Sequence, residues 1–351
     1  MGRGSGESIA IHLGDMIWAV IDSFKDKNRR SAPLAYLDGM GVLPGQVQSI
    51  VATHWHDDHV EGISQLYEWA TNADIYFPFV KTYKELNTYI EANLGAAVGQ
   101  ITNGVEELSK ITAIKIGQRR RAPRHCQADS VVARNRRLGA QDIVLTALSP
   151  SPKDCDSFLI DLAARRDAAD LERRLTATKP NDISIAAWLQ FEQDAVLLGA
   201  DVENRADAER GWNAIIASQQ RPGGQASLYK VAHHGSSNAH HPGIWTDLLA
   251  TQPVSALAPY NQGVGIPKAA DVARILALSG EAYSTNATPF RKYRDGTPIV
   301  RTALEADRLK IQAGFLETGI VRMRHGIGTS GPWEVSTHGG AVHLSNFVPR
   351  D

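Results

Sequence analysis

Apolar positions fall along the chain in short alternating runs separated by helical stretches. ESIAIHL (7–13) alternates polar and apolar residues, Gly14-Asp15 interrupts it, and MIWAVIDS (16–23) resumes as a buried strand ending at Asp22. Residues 31–42 read as a helix that Leu43-Pro44-Gly45 stops. SIVAT (49–53) is a strand running straight into His54-Trp55-His56-Asp57-Asp58-His59, with a helix expected from there to about Ala70 and a strand over 74–80. Residues 82–110 read as mostly helical, 143–148 as strand and 157–175 as a charged helix. Strands return at 182–190, 195–201, 227–235 and 253–260, and a helix follows Pro267 to near Gly280. GIVRMRHG and GPWEVSTHGGAVHL read as closing hairpin strands. Alternating strands and helices with several buried strands predict an α/β layered fold.

The chain is read as one domain over residues 1–351. Residues 81–180 are taken largely as an insertion, serving as a lid, a dimer arm or a partner-docking surface, and 290–351 as a β-rich C-terminal extension. With 351 residues, 43% of them hydrophobic, the chain has material for a substantial core. A formal net charge of −1 argues against a generally basic, nucleic-acid-coating surface but leaves room for a local basic groove. No apolar run approaches bilayer length, and MGRGSGESIAIHLGD lacks the charged-then-apolar layout of a secretory signal. A soluble cytoplasmic protein without a membrane partner is expected. Cys126 and Cys155 have no CxxC spacing and read as ordinary thiols of a reduced compartment.

The chemistry concentrates at 54–59, where five histidine and aspartate side chains lie within six residues just after an apolar strand. Imidazole and carboxylate suit zinc, and also iron or manganese. Asp201 ends the strand in LLGAD, where a carboxylate can point into a site at a sheet edge or simply serve a turn. His233-His234-Gly235 also follows a strand. Adjacent histidines project differently, so at most one of the pair is expected to ligate.

HWHDDH resembles the HxHxDH signature of the metallo-β-lactamase superfamily. Gly6-Glu7-Ser8, IDS (21–23), NDIS (181–184), LLGADVE (197–203) and YKVAHHGSS (229–237) look like the soluble hydrolase domain of the competence protein ComEC and its stand-alone relatives. The resemblance covers about 1–75 and 181–290. It implies a four-layer αββα sandwich with metals at one edge: one or two zinc ions, or manganese or iron. It also implies His54 and His56 on a first metal, Asp58 and His59 on a second, Asp201 bridging, His234 as the last ligand, and Asp22 as a buried carboxylate orienting the loop. Most members of that superfamily supply a further histidine just before the bridging-Asp strand. This chain has Asn181-Asp182 there, so Asp182 is carried as a candidate substitute ligand or a turn residue.

The implied reaction is hydrolysis by a metal-activated water, with Asp58 and Asp201 at the reacting centre and His233 or Lys230 assisting the leaving group or holding an anionic substrate. Phosphodiester cleavage of DNA or a nucleotide is favoured by the ComEC-like motifs and by arginines 119–121, 124, 134, 136 and 137. Of these, Arg119, Arg120 and Arg121 are the candidate phosphate contacts. Two other readings stand beside it: a lactone, thioester or β-lactam hydrolase, and a metal-stabilised subunit of a larger assembly such as a defence module. Neither substrate nor oligomeric state follows from the sequence.

Overall fold

The computed structural model describes residues 1–78, 103–136, 141–166, 179–261, 265–288, 317–326 and 331–349. A short antiparallel hairpin, β1 (Gly2–Arg3) and β2 (Gly6–Glu7), precedes the first sheet. That sheet is built in chain order from β3 (Ile9–His12), β4 (Trp18–Ile21), β5 (Val47–Val51), β6 (Asp74–Phe77) and β7 (Arg124–His125). β3 and β4 pair antiparallel, and β4 to β7 run parallel. Helices α1 (Ala32–Gly39), α2 (Asp57–Val60), α3 (Ile63–Trp69) and α4 (Asn103–Gly117) connect them.

The second sheet holds β8 (Val131–Asn135), β9 (Ile143–Ala147), β10 (Ala187–Phe191), β11 (Asp194–Leu198), β12 (Ala226–Lys230), β13 (Leu249–Leu257) and β14 (Glu281–Ser284) in sequence order. β8 to β11 are antiparallel neighbours, and β11 to β14 are parallel. Helices α5 (Pro152–Arg166), α6 (Gly211–Ala217) and α7 (Ala269–Leu278) belong to this half of the chain. A hairpin of β15 (Ile320–Arg324) and β16 (Glu334–His338) follows, and β17 (Val342–His343) pairs with β14.

Strand alternation sorts the side chains into layers, because successive residues of a strand face opposite ways. Ala19 and Ile21 of β4, Val51, Tyr76, Leu145, Val196, Leu198 and Leu228 meet between the two sheets. Their neighbours Val20, Ile50, Ile75 and Phe77 face the other way, against Leu34 and Leu37 of α1, Leu66 and Tyr67 of α3 and Ile111 of α4. On the far side, Leu197, Tyr229 and Leu257 pack on Trp212 and Ile215 of α6 and Val272 and Ile275 of α7. The result is four layers, helix–sheet–sheet–helix. Each large side chain sealed into these cores contributes about 1.5–3 kcal/mol.

The structure departs from the sequence reading in two places. Residues 180–183 form a 3₁₀ turn, and the strand expected from 182 starts only at Ala187. Within 81–180, Arg124–His125, Val131–Asn135 and Ile143–Ala147 supply β7, β8 and β9, so these segments belong to the two sheets and not to an insertion. The rest of the expected 82–110 helix and the end of the 157–175 helix fall in 79–102 and 167–178, outside the described residues.

Candidate metal centre

The candidate ligands lie beyond the C-terminal ends of the parallel strands of both sheets, the usual edge for a site in an open α/β sheet. Asp22 follows β4, Thr53 to His59 follow β5, Asp201 follows β11, and His233 and His234 follow β12. Local sequence makes the close approach of the last two loops possible. A Cβ on Gly199 would stand 2.9 Å from the Cβ of Ala232, so only glycine lets them meet. Their backbones then bond, Gly199 N–H to the Lys230 carbonyl at 3.0 Å and His233 N–H to the Ala200 carbonyl at 2.8 Å. Trp212, fully buried, donates its indole N–H to the Val202 carbonyl at 2.8 Å and anchors the chain beside Asp201.

Hydrogen-bond counting fixes which nitrogen each histidine turns inward. The Thr53 hydroxyl has one proton and gives it to Asp22 Oδ2 at 2.8 Å, so at 3.0 Å it accepts from His54 Nδ1. Asp22 Oδ2 also accepts from His59 Nδ1 at 2.7 Å, and Asp22 Oδ1 accepts the Thr53 N–H at 2.8 Å. His234 Nδ1 donates to the Ala258 carbonyl at 2.8 Å. Each of these three rings therefore keeps a proton on Nδ1 and turns Nε2 to the centre.

Two groups of donors result, with Asp201 common to both. His59 Nε2 lies 3.6 Å from Asp58 Oδ2 and 3.5 Å from Asp201 Oδ1, while His234 Nε2 lies 3.3 Å from Asp58 Oδ2 and 3.7 Å from Asp201 Oδ2. On the other side His54 Nε2 stands 3.0 Å from His56 Nδ1 and 3.8 Å from Asp201 Oδ2. Ligand atoms on a tetrahedral zinc stand about 3.3 Å apart, so the spacing suits a metal. Asp201 Oδ1 and His59 Nε2 are buried without a hydrogen-bond partner. Such orphaned groups cost free energy unless something else engages them, and a cation does. Two further groupings within ligand distance are His54–His59–Asp201 and Glu7–Asp22–His59.

The electrostatics agree. Burial works against a charged His59, yet the carboxylates of Asp201, Asp58 and Asp22 overcome it and hold the ring well above its ordinary pKa. His234 is raised in the same way, against burial, by Asp201 and Asp58. Burial also opposes ionisation of Asp201, but His59 and His234 hold it well below the usual carboxylate range. An imidazole drawn that strongly towards its cationic form marks a centre whose potential favours positive charge. His54 goes the other way: burial, then His59 and His56, push it well down. Burial raises Asp22 although the His59 ring pulls against it. Its one carboxylate holds the His59 ring, the Thr53 N–H and the Thr53 hydroxyl that in turn holds the His54 ring. Asp22→Asn is therefore expected to cost about 10–100-fold in metal affinity or turnover. Metal content and kcat both unchanged in that variant would remove the orienting role.

Other expected site residues sit elsewhere. Asp182 is not brought to the histidines: Arg205 takes one of its oxygens and Arg210 the other, the latter at 3.1 Å. Lys230 is buried and paired with Glu7 Oε1 at 2.5 Å, where it has no solvent-facing amine to offer a substrate. His233, expected to diverge from His234, instead brings its Nε2 within 3.8 Å of Asp201 Oδ2.

The arginine segment lies at the opposite edge. β5 and β6 are parallel with Ser49 opposite Asp74, so Asp74 marks the N-terminal end of the sheet, away from His54. Arg124 and Arg121 reach that Asp74, at 2.9 and 3.5 Å. Arg120 donates to the carbonyls of Tyr67, Ala70 and Ala73, capping the end of α3, and stacks 3.7 Å from the centroid of the Tyr67 ring. Arg134 pairs with Asp142, Arg119 and Arg136 are exposed, and Arg137 falls outside the described residues. Arg120→Ala is expected to destabilise by about 2 kcal/mol, discounted for partial exposure, and Arg119→Ala and Arg121→Ala by under about 0.5 kcal/mol. Urea melts decide it; equal effects at all three positions would refute the capping role.

Residues given no role of their own in the sequence reading complete the surroundings. Glu7, Thr53, Ser184 and Glu203 are polar groups inside or beside the centre, and the ring of Tyr260 lies 5.2 Å from His234. No described helix is long and apolar enough to cross a membrane.

No family model matches the chain, and no curated protein matches it. Solved structures do resemble it. MEM-A1, a subclass B3 metallo-β-lactamase isolated from a soil metagenome library, is 15% identical, covering 66% of this chain and 76% of its own, with a TM-score of 0.35. The short form of human tRNase Z is 10% identical, covering 79% and 81%, with a TM-score of 0.34. The metallo-β-lactamase MIM-1 from Novosphingobium pentaromativorans is 18% identical, covering 59% of each chain, with a TM-score of 0.30. The fold is a metallo-β-lactamase fold. The four layers and the histidine loop at their edge carry that statement. At such scores the neighbours add nothing about chemistry, which rests on the donor set itself.

Proposed function

We propose that the chain is a metal-dependent hydrolase of the metallo-β-lactamase superfamily that cleaves phosphodiester bonds, with nucleic acid or a nucleotide as substrate. The observation that carries it is the sharing of Asp201 between two donor groups, His54/His56 and Asp58/His59/His234. Zinc is the favoured ion, given the imidazole-rich set, and manganese or iron also suit it. Held by these residues, two such ions would supply a water of lowered pKa and positive charge to offset the charge developing at the phosphoryl group.

The chain's own residues do the rest. Asp22 and Thr53 hold His54 and His59 with Nε2 inward, and the Ala258 carbonyl does so for His234. His54, His59 and Asp201 are fully sealed in, while His56 and Asp58 are only partly covered and mark the side open to substrate. Two divalent ions there would outweigh the charge of Asp58 and Asp201, which would suit an anionic ester. The arginines at the far edge play no part in this. The ComEC-like motifs support the same substrate class, because it is the one that resemblance implies.

The test is a panel on the zinc- or manganese-loaded protein: bis-p-nitrophenyl phosphate, single- and double-stranded DNA, RNA, nitrocefin and a lactone. Cleavage of the phosphodiesters, abolished by chelation and restored by metal, is expected. Turnover of nitrocefin or the lactone alone replaces phosphodiester with acyl chemistry, and no turnover by a metal-loaded protein favours a subunit that needs a partner.

A further inference from the structure

The two donor groups are unequal as described so far. The Asp58 side has two imidazoles and two carboxylates, whereas the His54 side has two imidazoles and only the shared Asp201. Asp182, the residue the sequence offered to fill the gap, is held by Arg205 and Arg210. What does reach the gap is His233.

We propose that His233 Nε2 is the third imidazole donor of the first cation site, so that the adjacent pair His233-His234 supplies one ligand to each of two ions. This rests on the two-cation reading above and assigns the residue that completes it.

Position comes first. His233 Nε2 and His54 Nε2 lie at the same 3.8 Å from Asp201 Oδ2, and His56 Nδ1 stands 3.0 Å from His54 Nε2. The rings of His233 and His234 are 5.9 Å apart and inclined at 57°, so they approach Asp201 from different directions without stacking.

The tautomer is also that of a ligand. His233 Nδ1 lies 3.1 Å from Asn238 Oδ1 and 3.4 Å from Glu203 Oε1. An amide oxygen and a carboxylate only accept, so Nδ1 carries the proton and Nε2 is bare. Histidine ligands of metals are commonly held in this manner, with a carboxylate or amide on the outer nitrogen. The competing contact is weak. Asn181 Nδ2 is 3.5 Å from His233 Nε2, beyond normal hydrogen-bond length, and already donates to Glu203 Oε1 at 2.9 Å.

The backbone explains how adjacent residues converge. His233 and His234 have φ of +45° and +54°, and Gly235 follows at +85°. A left-handed turn is unfavourable for residues with a Cβ, and two in succession are rare. In an extended segment neighbouring side chains point to opposite faces; the left-handed turn swings both rings onto one carboxylate. Held strain of this kind points to a role at the site.

The test reads metal binding directly. The metal-free chain is titrated with Zn²⁺ against a competing chromophoric chelator, and bound metal is counted by elemental analysis. Co²⁺ loading in parallel gives the ligand-field spectrum of each site and one shifted, exchangeable N–H proton signal per imidazole bound through Nε2. Wild type is expected to take two ions. His233→Ala is expected to keep one at near-native affinity, weaken the other at least about 100-fold, and lose one N–H signal. Glu203→Gln should weaken that same ion about 10–100-fold. His233→Gly should show the same metal loss while its metal-free form melts higher than metal-free wild type, because glycine relieves the left-handed turn.

Two ions at native affinity and an unchanged Co²⁺ spectrum in His233→Ala overturn the assignment. So does loss of both ions from a variant that still folds, since His233 would then not be confined to the first site. A wild-type chain that binds two ions through His233 and cleaves no phosphodiester overturns the proposed function alone.

Discussion

Asp201→Ala should empty both sites and reduce turnover by about 10³-fold or more, because several kcal/mol of transition-state charge stabilisation disappear at about 1.4 kcal/mol per decade. Other ligands are expected to behave differently. His54→Ala should lose the first ion and His59→Ala the second, since each faces one donor group while Asp201 lies against His54, His233 and His234 through Oδ2 and against His59 through Oδ1. Asp201→Asn keeps the shape and removes the charge, which separates loss of a ligand from loss of packing. Elemental analysis after gel filtration gives the count. Full metal content in Asp201→Ala and Asp201→Asn would sink the shared-carboxylate reading, whatever happens to activity.

Lys230→Ala is the variant expected to damage stability most. Lys230 ends β12 and Glu7 ends β2, and their charges meet at 2.5 Å with almost no solvent exposure. Removing the amine leaves a buried carboxylate with nothing to compensate it, at a cost of about 3–5 kcal/mol. Replacing both, as Glu7→Gln with Lys230→Met, should recover most of that loss, because two neutral groups of similar volume avoid the cost of an unpaired buried charge. The pair also lies beneath the site, with Glu7 Oε2 3.9 Å from His234 Nδ1. If Lys230 acted on substrate, the double variant would fold yet lose turnover. The structural reading expects it to fold, bind metal and remain active. Guanidinium melts beside kcat measurements distinguish the two.

Much of this centre was legible from local pattern. An apolar run ending in HWHDDH is a strand delivering ligands to a loop, and that is how β5 and Thr53–His59 are arranged. By the same logic the strand-end positions of Asp201 and the His233-His234 pair made them candidates, and the resemblance to the metallo-β-lactamase superfamily implied that they share one edge with Asp22. These signals are local because strand period and strand end are local properties of the chain. The alternation inside β4, β5, β6 and β11 likewise fixed which residues face between the sheets and which face the helices.

Tertiary structure alone decided the partnerships. The arginines of 119–124 formed a cluster in sequence, but the parallel pairing of β5 with β6 carries their Asp74 anchor to the edge opposite the histidines. Residues 124–135 were read as part of an insertion, yet they supply β7 and β8, because short edge and pairing strands take their stability from neighbours distant in the chain. Asp182 stood as a substitute ligand or a turn residue until Arg205 and Arg210 closed on it, and Lys230 as an aid to the leaving group or a substrate contact until Glu7 met it. His233 and His234 were expected to diverge, as neighbours do in ordinary backbone. Two consecutive left-handed residues, held by the contact of Gly199 with Ala232 and by the His233-to-Ala200 hydrogen bond, turn both rings onto Asp201. Sequence determined which residue types reach the edge of the sheets; which of them share a carboxylate depends on contacts between strands far apart in the chain, and no local pattern encodes those.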